Sequence, residues 1–297
     1  MNTRSSSLLG ILAALSIATL VAIAGSVQSL PVYGLPLFSW AAILAFTVQW
    51  VFFVPAYLLQ TEKFYDLIGS LTYIALALLA VSLSGPAEPG RVLVAGMVVI
   101  WATRLGSFLF LRIRTDGRDV RFDKIKPDFL RFLMTWTLQG LWVFFTFAAG
   151  LAAITSTQAY PLGIVTIVGA VLWLLGFAIE VVADNQKRRF RAQTDNKSSF
   201  IQTGLWAYSR HPNYVGEILL WVGIAIAALP QLTGWQYITL LSPCFVYVLL
   251  TQISGVKLLE YRARKQWGDN PDYKAYLART PVLFPGFNKR ESRVTIG

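Results

Sequence analysis

The residues best suited to chemistry stand at the entrance of an apolar segment, in the stretch 204–219, GLWAYSRHPNYVGEIL. Arg210, His211, Asn213 and Glu217 gather there, and His211 is the only histidine of the chain. A helix needs none of these side chains to enter a membrane, because insertion follows from apolar length. The stretch therefore predicts a site that binds a polar ligand.

Proline is favoured in the first turn of a helix, so the segment is predicted to become helical at Pro212. Asn213 and Glu217 are four residues apart and then share a face. The free N–H groups of that first turn, together with Arg210, would attract an anion. Alternatively, Arg210 reaches lipid phosphates while neighbouring tyrosines form an interfacial belt. That alternative leaves Glu217 unexplained, because a carboxylate near the membrane needs a partner.

A second cluster of charged residues lies in 180–191, EVVADNQKRRFR. If the preceding helix continues through it, Glu180 and Asp184 lie one turn apart, and Arg188 and Arg191 extend the same stripe. Acids beside arginines could hold a ligand's hydroxyl groups and phosphates, respectively. The arginines alone also fit an ordinary helix end, where basic residues are favoured.

Two further polar stretches come earlier in the chain. Glu62 and Asp66 are four residues apart at the start of an apolar run and are either interfacial or directed into a cavity between helices. The stretch 112–128 alternates basic and acidic residues around Gly117, which is typical of a solvated loop paired to itself. Closure of one or two of its arginines over a phosphate is the alternative.

The elements that must position these residues are membrane helices. The chain has 297 residues, 55% hydrophobic and 14% charged, whereas soluble domains carry about 25% charged residues. We predict an all-α polytopic transmembrane bundle of about seven or eight spans, forming a single integral membrane domain over 1–297. The apolar segments are 8–30, 35–59, 66–85, 91–111, 132–155, 161–183, 212–231 and 234–257.

The charge distribution predicts the orientation of these segments. The connections after the first, fifth and seventh segments carry no Lys or Arg, whereas those after the fourth and sixth, and the C-terminal tail, are basic. Eight spans with both termini in the cytoplasm satisfy the positive-inside rule. A bacterial inner membrane or the endoplasmic reticulum would suit this layout. The first segment is longer than a signal-peptide core, so we expect it to be retained.

Several classes of site are excluded by the residue types. No GxGxxG follows a strand, so a Rossmann fold is not expected. One histidine and one cysteine cannot form a metal cluster, and no metal site is predicted. The net charge is +11, and the basic residues that produce it lie between apolar runs. This distribution indicates membrane topology and not nucleic-acid binding.

The same stretches carry a resemblance to a known family. TGLWAYSRHPNYVGE, the preceding DNQKRRFR, the later LLEYRARKQWGDNPDYKAYLARTPVLFPGF and the early TEKFYDLIGSLTY resemble the DUF1295 group. That group is placed among the steroid 5-alpha-reductase-like membrane proteins, which include sterol reductases. The resemblance covers 60–297, is strongest over 184–217, and leaves 1–60 weakly matched.

The resemblance implies an NADPH-dependent reductase that transfers hydride to a carbon–carbon double bond, an enone of a steroid or other lipid taken from the bilayer. It places the cofactor site mainly in 180–280. Arg191 would grip phosphate, Asp184 would hold the sugar or amide portion, and Asn213 and Glu217 would fix the nicotinamide end. The full set of cofactor-binding residues implied is Asp184, Arg188, Arg191, Arg210, His211, Asn213, Glu217 and Glu260. No obligate protein partner is implied.

The catalytic residues implied are Glu62, Tyr65 and Tyr214. Steroid reductases use an early acidic residue, which Glu62 matches, and a tyrosine to polarise the enone carbonyl. Aligning the fourth run puts Trp101 at that tyrosine position, and indole cannot act as a proton source. Tyr65, Tyr73 or Tyr214 would then supply the proton.

A rival from another reaction class is methyl transfer. Isoprenylcysteine and phospholipid methyltransferases share RHPxYxG and a late glutamate, here Glu260, and bind S-adenosylmethionine. The eight-segment layout and the cluster DNQKRRFR favour the reductase, because S-adenosylmethionine has no phosphate to grip. A lipid-binding or structural membrane protein without catalysis is the third class.

Overall fold

The computed structural model describes residues 3–86, 88–193, 196, 199–253 and 255–284. In this part of the chain almost all regular structure is helical, and one short hairpin, β1 (Pro31–Val32) and β2 (Leu35–Pro36), is antiparallel. The predicted all-α fold is confirmed.

The first six helices come before residue 160. They are α1 (Thr3–Gly25), α2 (Leu37–Leu58), α3 (Tyr65–Leu83), α4 (Pro89–Asp116), α5 (Phe129–Thr146) and α6 (Ala148–Ile154). Proline at the first position of α4 fits its start, because the missing N–H there would have no partner in the helix.

The later helices carry the polar stretches. They are α7 (Ile164–Ala192), α8 (Pro212–Ala228), α9 (Ser242–Val248), α10 (Val256–Trp267) and α11 (Pro271–Arg279). Short 3₁₀ segments lie at Gly204–Ala207, Leu229–Gln231 and Gly234–Leu241, and a π-helical turn at Leu249–Ile253 follows α9. As predicted, α7 continues through the cluster 180–191 and α8 begins at Pro212.

Among the described residues, seven helical segments are long and apolar enough to cross a membrane, and an eighth arises if α5 and α6 form one bent span. The prediction of about seven or eight spans is confirmed. The bend between α5 and α6 is 53°. The predicted eighth segment, 234–257, is not one regular helix, because it passes from 3₁₀ through α to π geometry before α10.

The chain divides into two compact units. The first comprises Met1–Val171 and Trp221–Phe245. In it, α3 packs chiefly against α4, while α1 and α2 both pack against α5. One of its cores joins Phe53 of α2, Ile68 of α3 and Trp136 of α5 to Phe122 of the connection before α5.

The second unit comprises the described residues of Leu172–Leu220 and Val246–Gly297. Within it, α7 and α8 approach at backbone distance. A Cβ built on Gly176 would lie 2.5 Å from the backbone nitrogen of Leu220, and one on Gly216 would lie 2.6 Å from that of Glu180. Only glycine permits so close an approach, which is typical of small-residue helix contacts in membranes.

Candidate functional site

A charged cluster of three side chains lies in the second unit, and we call Arg210, His211 and Glu260 the Arg–His–Glu cluster. Glu260, on α10, accepts a hydrogen bond from Arg210 Nη1 at 2.8 Å through Oε2. Its other oxygen, Oε1, lies 3.0 Å from His211 Nε2. Arg210 and His211 directly precede α8, and the Arg210 backbone N–H donates to the Pro281 carbonyl at 2.9 Å. Three separate segments therefore hold one carboxylate against two basic side chains.

His211 is held as a neutral ring. It is 5% exposed, and this burial lowers its pKa, although the hydrogen bond to the Glu260 carboxylate opposes the shift. Because a carboxylate only accepts hydrogen bonds, the proton of the neutral ring is on Nε2, and this N–H donates a hydrogen bond to Glu260. Nδ1 is then a bare acceptor, and it is buried without a hydrogen-bond partner among the described residues. The ring also stacks on Tyr214, with centroids 5.5 Å apart and planes 11° from parallel.

Three acidic side chains are buried on α7 and α8 in the same unit. Glu180, Asp184 and Glu217 are each less than 10% exposed, while Asn213 is half-buried. Burying a carboxylate near a membrane costs free energy. Buried carboxylates there therefore belong to a functional site more often than to ordinary packing. The backbone contact of Gly216 with Glu180 brings the two acid-bearing helices together.

The charged stripe on α7 divides by exposure. Asp184 is buried, whereas Arg188 and Arg191 are exposed. The two arginines thus present positive charge outside the buried acids. Sequence reasoning missed two neighbours on this helix: the Gln186 side-chain carbonyl accepts from the Leu205 N–H at 3.0 Å, and the Lys187 ammonium lies 4.6 Å from the centre of the Trp206 ring.

Aromatic rings form a wall of the second unit. Phe200 contacts Trp267, Tyr273 and Tyr276, with ring centroids 5.0 to 5.8 Å apart. The Tyr276 hydroxyl donates to the Trp206 carbonyl at 2.8 Å. These contacts fix α10 and α11 relative to the segment 200–207, and so fix the helix that carries Glu260.

Glu62, predicted to be catalytic, lies in the first unit and is engaged on both oxygens. Oε1 accepts from the Asp119 backbone N–H at 2.9 Å, and Oε2 accepts from Lys126 Nζ at 2.5 Å. Glu62 is 4% exposed. Burial favours the neutral acid, but the hydrogen bonds from Lys126 and Asp119 outweigh it and lower the pKa of Glu62. Through its two oxygens, the Glu62 carboxylate anchors the 117–128 connection.

Tyr65, also predicted to be catalytic, is tied into the first unit as well. Its hydroxyl donates to the Thr135 carbonyl at 3.0 Å, and its ring packs edge-on against Phe122 and Trp136. In the next position, Asp66 lies 3.9 Å from Arg112 Nη2. Within the 112–128 stretch, Asp119 bonds Arg121, as a self-paired loop would.

Trp101 stands in an aromatic group of the first unit. It is fully buried, and its ring meets Tyr73 and Trp221 edge-on at 5.1 and 5.0 Å. Tyr73, one of the three tyrosines that the sequence offered as proton sources, is in ring contact with Trp101.

Comparison with known proteins gives a family for the chain. The model of a family described as "Protein of unknown function (DUF1295)" matches residues 52–280, which is most of the chain. The chain belongs to the DUF1295 family. The resemblance predicted from the sequence is therefore confirmed, and the match covers every residue predicted to bind a cofactor or to be catalytic.

Two curated proteins are similar to this DUF1295 chain over shorter stretches. One is 3-oxo-5-alpha-steroid 4-dehydrogenase 1 of Bos taurus, 32% identical over 69 residues, covering 23% of this chain and 26% of that protein. The other is a probable 7-dehydrocholesterol reductase of Acanthamoeba polyphaga mimivirus, 28% identical over 135 residues, covering 39% and 28%. The matched stretches thus span little more than a quarter of each relative. No solved structure matches the chain.

Proposed function

We propose that this protein is a membrane-embedded, NADPH-dependent reductase that saturates a carbon–carbon double bond of a steroid or another lipid. Two relatives whose names describe steroid and sterol oxidoreductases support the reaction class. The observation that carries the proposal is the pair of exposed arginines on α7, Arg188 and Arg191, which lie on the same helix as the buried Asp184.

Each part of the second unit suits one part of a dinucleotide. The exposed arginines of α7, Arg188 and Arg191, supply charge for phosphates. Asp184 provides a carboxylate for hydroxyl groups. Asn213 and Glu217, a turn apart at the start of α8, would take the nicotinamide end. The hydrogen bonds among Arg210, His211 and Glu260 would hold the start of α8 and α10 together in this arrangement.

The reaction would be a hydride transfer followed by protonation. NADPH held by Asp184, Arg191, Asn213 and Glu217 would supply the hydride for one alkene carbon, and a protein acid or an ordered water would supply the proton for the other. Burial of the site would exclude water that competes with this chemistry. Of the residues proposed to be catalytic, Tyr214 belongs to the unit of the cofactor cluster and stacks on His211. Glu62 and Tyr65 would first have to leave their present hydrogen bonds.

A second candidate is S-adenosylmethionine-dependent methyl transfer. The observation that favours it is the assembly of Arg210, His211 and Glu260, because these residues belong to the two features that resemble the methyltransferases, the RHPxYxG motif and the late glutamate. The two candidates differ in their need for phosphate contacts, and therefore in the role of Arg191.

Ligand-induced stabilisation separates the candidates. Purified protein in detergent is heated with NADPH, NADH or S-adenosylmethionine, since a ligand at 100 times its Kd stabilises the folded state by about 2.7 kcal/mol. We expect NADPH to raise the unfolding temperature most. Stabilisation by S-adenosylmethionine alone would establish the methyltransferase, and no stabilisation by any of the three would refute a cofactor site.

A charge reversal tests the phosphate contact. Arg191→Glu should weaken NADPH binding by tenfold or more while leaving membrane insertion intact. Arg189→Glu is the matched control, because Arg189 is equally exposed on α7 but was not assigned to the cofactor. Equal effects of the two variants would show only a general loss of positive charge, and the assignment of Arg191 would be wrong.

A further inference from the structure

The helix α10 has an exposed face that carries basic residues and a tyrosine. Lys257, Tyr261, Arg264 and Lys265 recur at spacings of four, seven and eight residues, so they form one stripe. All four are exposed, and Tyr261 is 67% exposed although it is a large aromatic residue. We call these four residues the basic stripe.

The edge of α10 next to the basic stripe is held by contacts within the second unit, because Glu260 is three residues after Lys257 and four before Arg264. Glu260 is bonded to Arg210 and His211. At the end of the helix, Trp267 contacts Phe200 with ring centroids 5.8 Å apart. The helix therefore presents the basic stripe away from its own unit.

The level of α10 relative to the membrane follows from the same contacts. The candidate span Pro212–Gln231 begins one residue after His211. A second candidate span, Gly234–Trp267, includes α10 at its C-terminal end, but α10 itself carries five charged residues. Because Glu260 contacts Arg210 and His211, we place α10 at the membrane surface, level with the start of the span Pro212–Gln231. The chain turns just before α10 at Gly255, where a Cβ would lie 2.3 Å from the Leu250 carbonyl oxygen.

The charge of the stripe is not neutralised within the described residues. None of their carboxylates forms an ion pair with Lys257, Arg264 or Lys265. The nearby Glu260 is already bonded to Arg210 and His211. Three cations around an exposed tyrosine thus stand at the height of the lipid headgroups.

We propose that the basic stripe of α10 binds the anionic headgroups of bilayer phospholipids. Lys and Arg near a membrane surface are attracted to anionic lipid, and the amphipathic ring of tyrosine is favoured at headgroup level. This binding is independent of the reductase proposal, because it needs no cofactor and uses the exposed residues of α10.

The test compares two lipid compositions. The full-length protein is placed in nanodiscs of phosphatidylcholine alone and in nanodiscs with an increasing fraction of phosphatidylglycerol. Hydrogen exchange of residues 256–267 is measured in each. We expect exchange in this helix to slow as phosphatidylglycerol is added.

Variants assign that protection to the stripe. Each basic residue near the surface contributes about fivefold in affinity, so K257Q/K265Q should weaken the apparent affinity for phosphatidylglycerol roughly 25-fold. Arg264 is kept, since its charge acts on Glu260. K274Q, an exposed lysine on α11, is the control and should change the affinity little. Unfolding midpoints in phosphatidylcholine nanodiscs check that both variants fold.

Three results would overturn the proposal. Exchange of the wild-type helix could be the same in both lipid compositions. Inorganic phosphate in phosphatidylcholine nanodiscs could protect the helix as well as phosphatidylglycerol does. K274Q could weaken the effect as much as K257Q/K265Q. Loss of NADPH binding with lipid protection retained would refute the proposed function alone.

Discussion

Glu260→Gln should be among the most disruptive conservative changes in the second unit. The amide keeps the shape of the side chain but removes the charge shared by Arg210 and His211. Breaking a buried ion pair costs about 3–5 kcal/mol. The side chains of Arg210 and Glu260 are 12% and 16% exposed, so water recovers part of that loss. We expect the free energy of unfolding to fall by about 2–3 kcal/mol.

The assay is equilibrium unfolding by denaturant in detergent, with an exposed ion pair as the comparison. Asp123 lies 3.7 Å from Arg118, and these side chains are 37% and 68% exposed. Exposed pairs contribute about 0–1 kcal/mol, so Asp123→Asn should cost less than about 1 kcal/mol. The difference between the two variants measures what burial adds to one carboxylate.

A second readout uses the single histidine of the chain. Nitrogen-labelled histidine gives one ring spectrum, which should show the neutral tautomer protonated on Nε2 at pH 7. In Glu260→Gln the pKa of His211 should fall further, because the carboxylate that opposes the effect of burial is gone. An unfolding free energy within 1 kcal/mol of wild type, together with an unchanged pKa of His211 when the histidine spectrum is followed to lower pH, would refute the role of this carboxylate.

Three other predictions follow from separate contacts. In thermal unfolding, Gly216→Ala should destabilise the protein by about 1–3 kcal/mol, because the new Cβ meets the Glu180 backbone. Gly96→Ala, which has open space around it, should be neutral or stabilising in the same assay. Since burial lowers the pKa of His211, the unfolded state binds its proton more readily. Stability should therefore fall as pH drops from about 7 to 5, by less than about 2 kcal/mol, and a flat profile would contradict the burial of the ring. Glu62→Gln should cost about 1.5–3 kcal/mol in chemical denaturation, and no loss would show that its hydrogen bonds do not anchor the connection.

The membrane helices could be predicted because length and hydropathy are written locally in the sequence. The start of α8 at Pro212 and the continuation of α7 to Ala192 also follow from local rules. The 53° bend after Thr146 does not, because no proline marks it. The π-helical turn at Leu249–Ile253 is also invisible, since apolar side chains do not distinguish between helical hydrogen-bond patterns.

The candidate site was predictable in its parts but not in its assembly. Arg210 and His211 stood out as polar residues at a helix entrance, whereas Glu260 was named only through the family resemblance. The contact between them spans about 50 residues of chain, and no spacing rule reaches that far. Lys126 as the partner of Glu62 was missed for the same reason, since one lysine in a basic connection carries no distinguishing signal.

The backbone contact between α7 and α8 at Gly176 and Gly216 has a consequence for experiment. Dispersion forces between closely packed helices do not respond to ionic strength, whereas exposed charges are screened by salt. Raising the salt concentration should therefore release a ligand held by Arg188 and Arg191 while α7 and α8 stay packed against each other. A salt titration can separate binding from scaffold integrity in one sample, without any mutation.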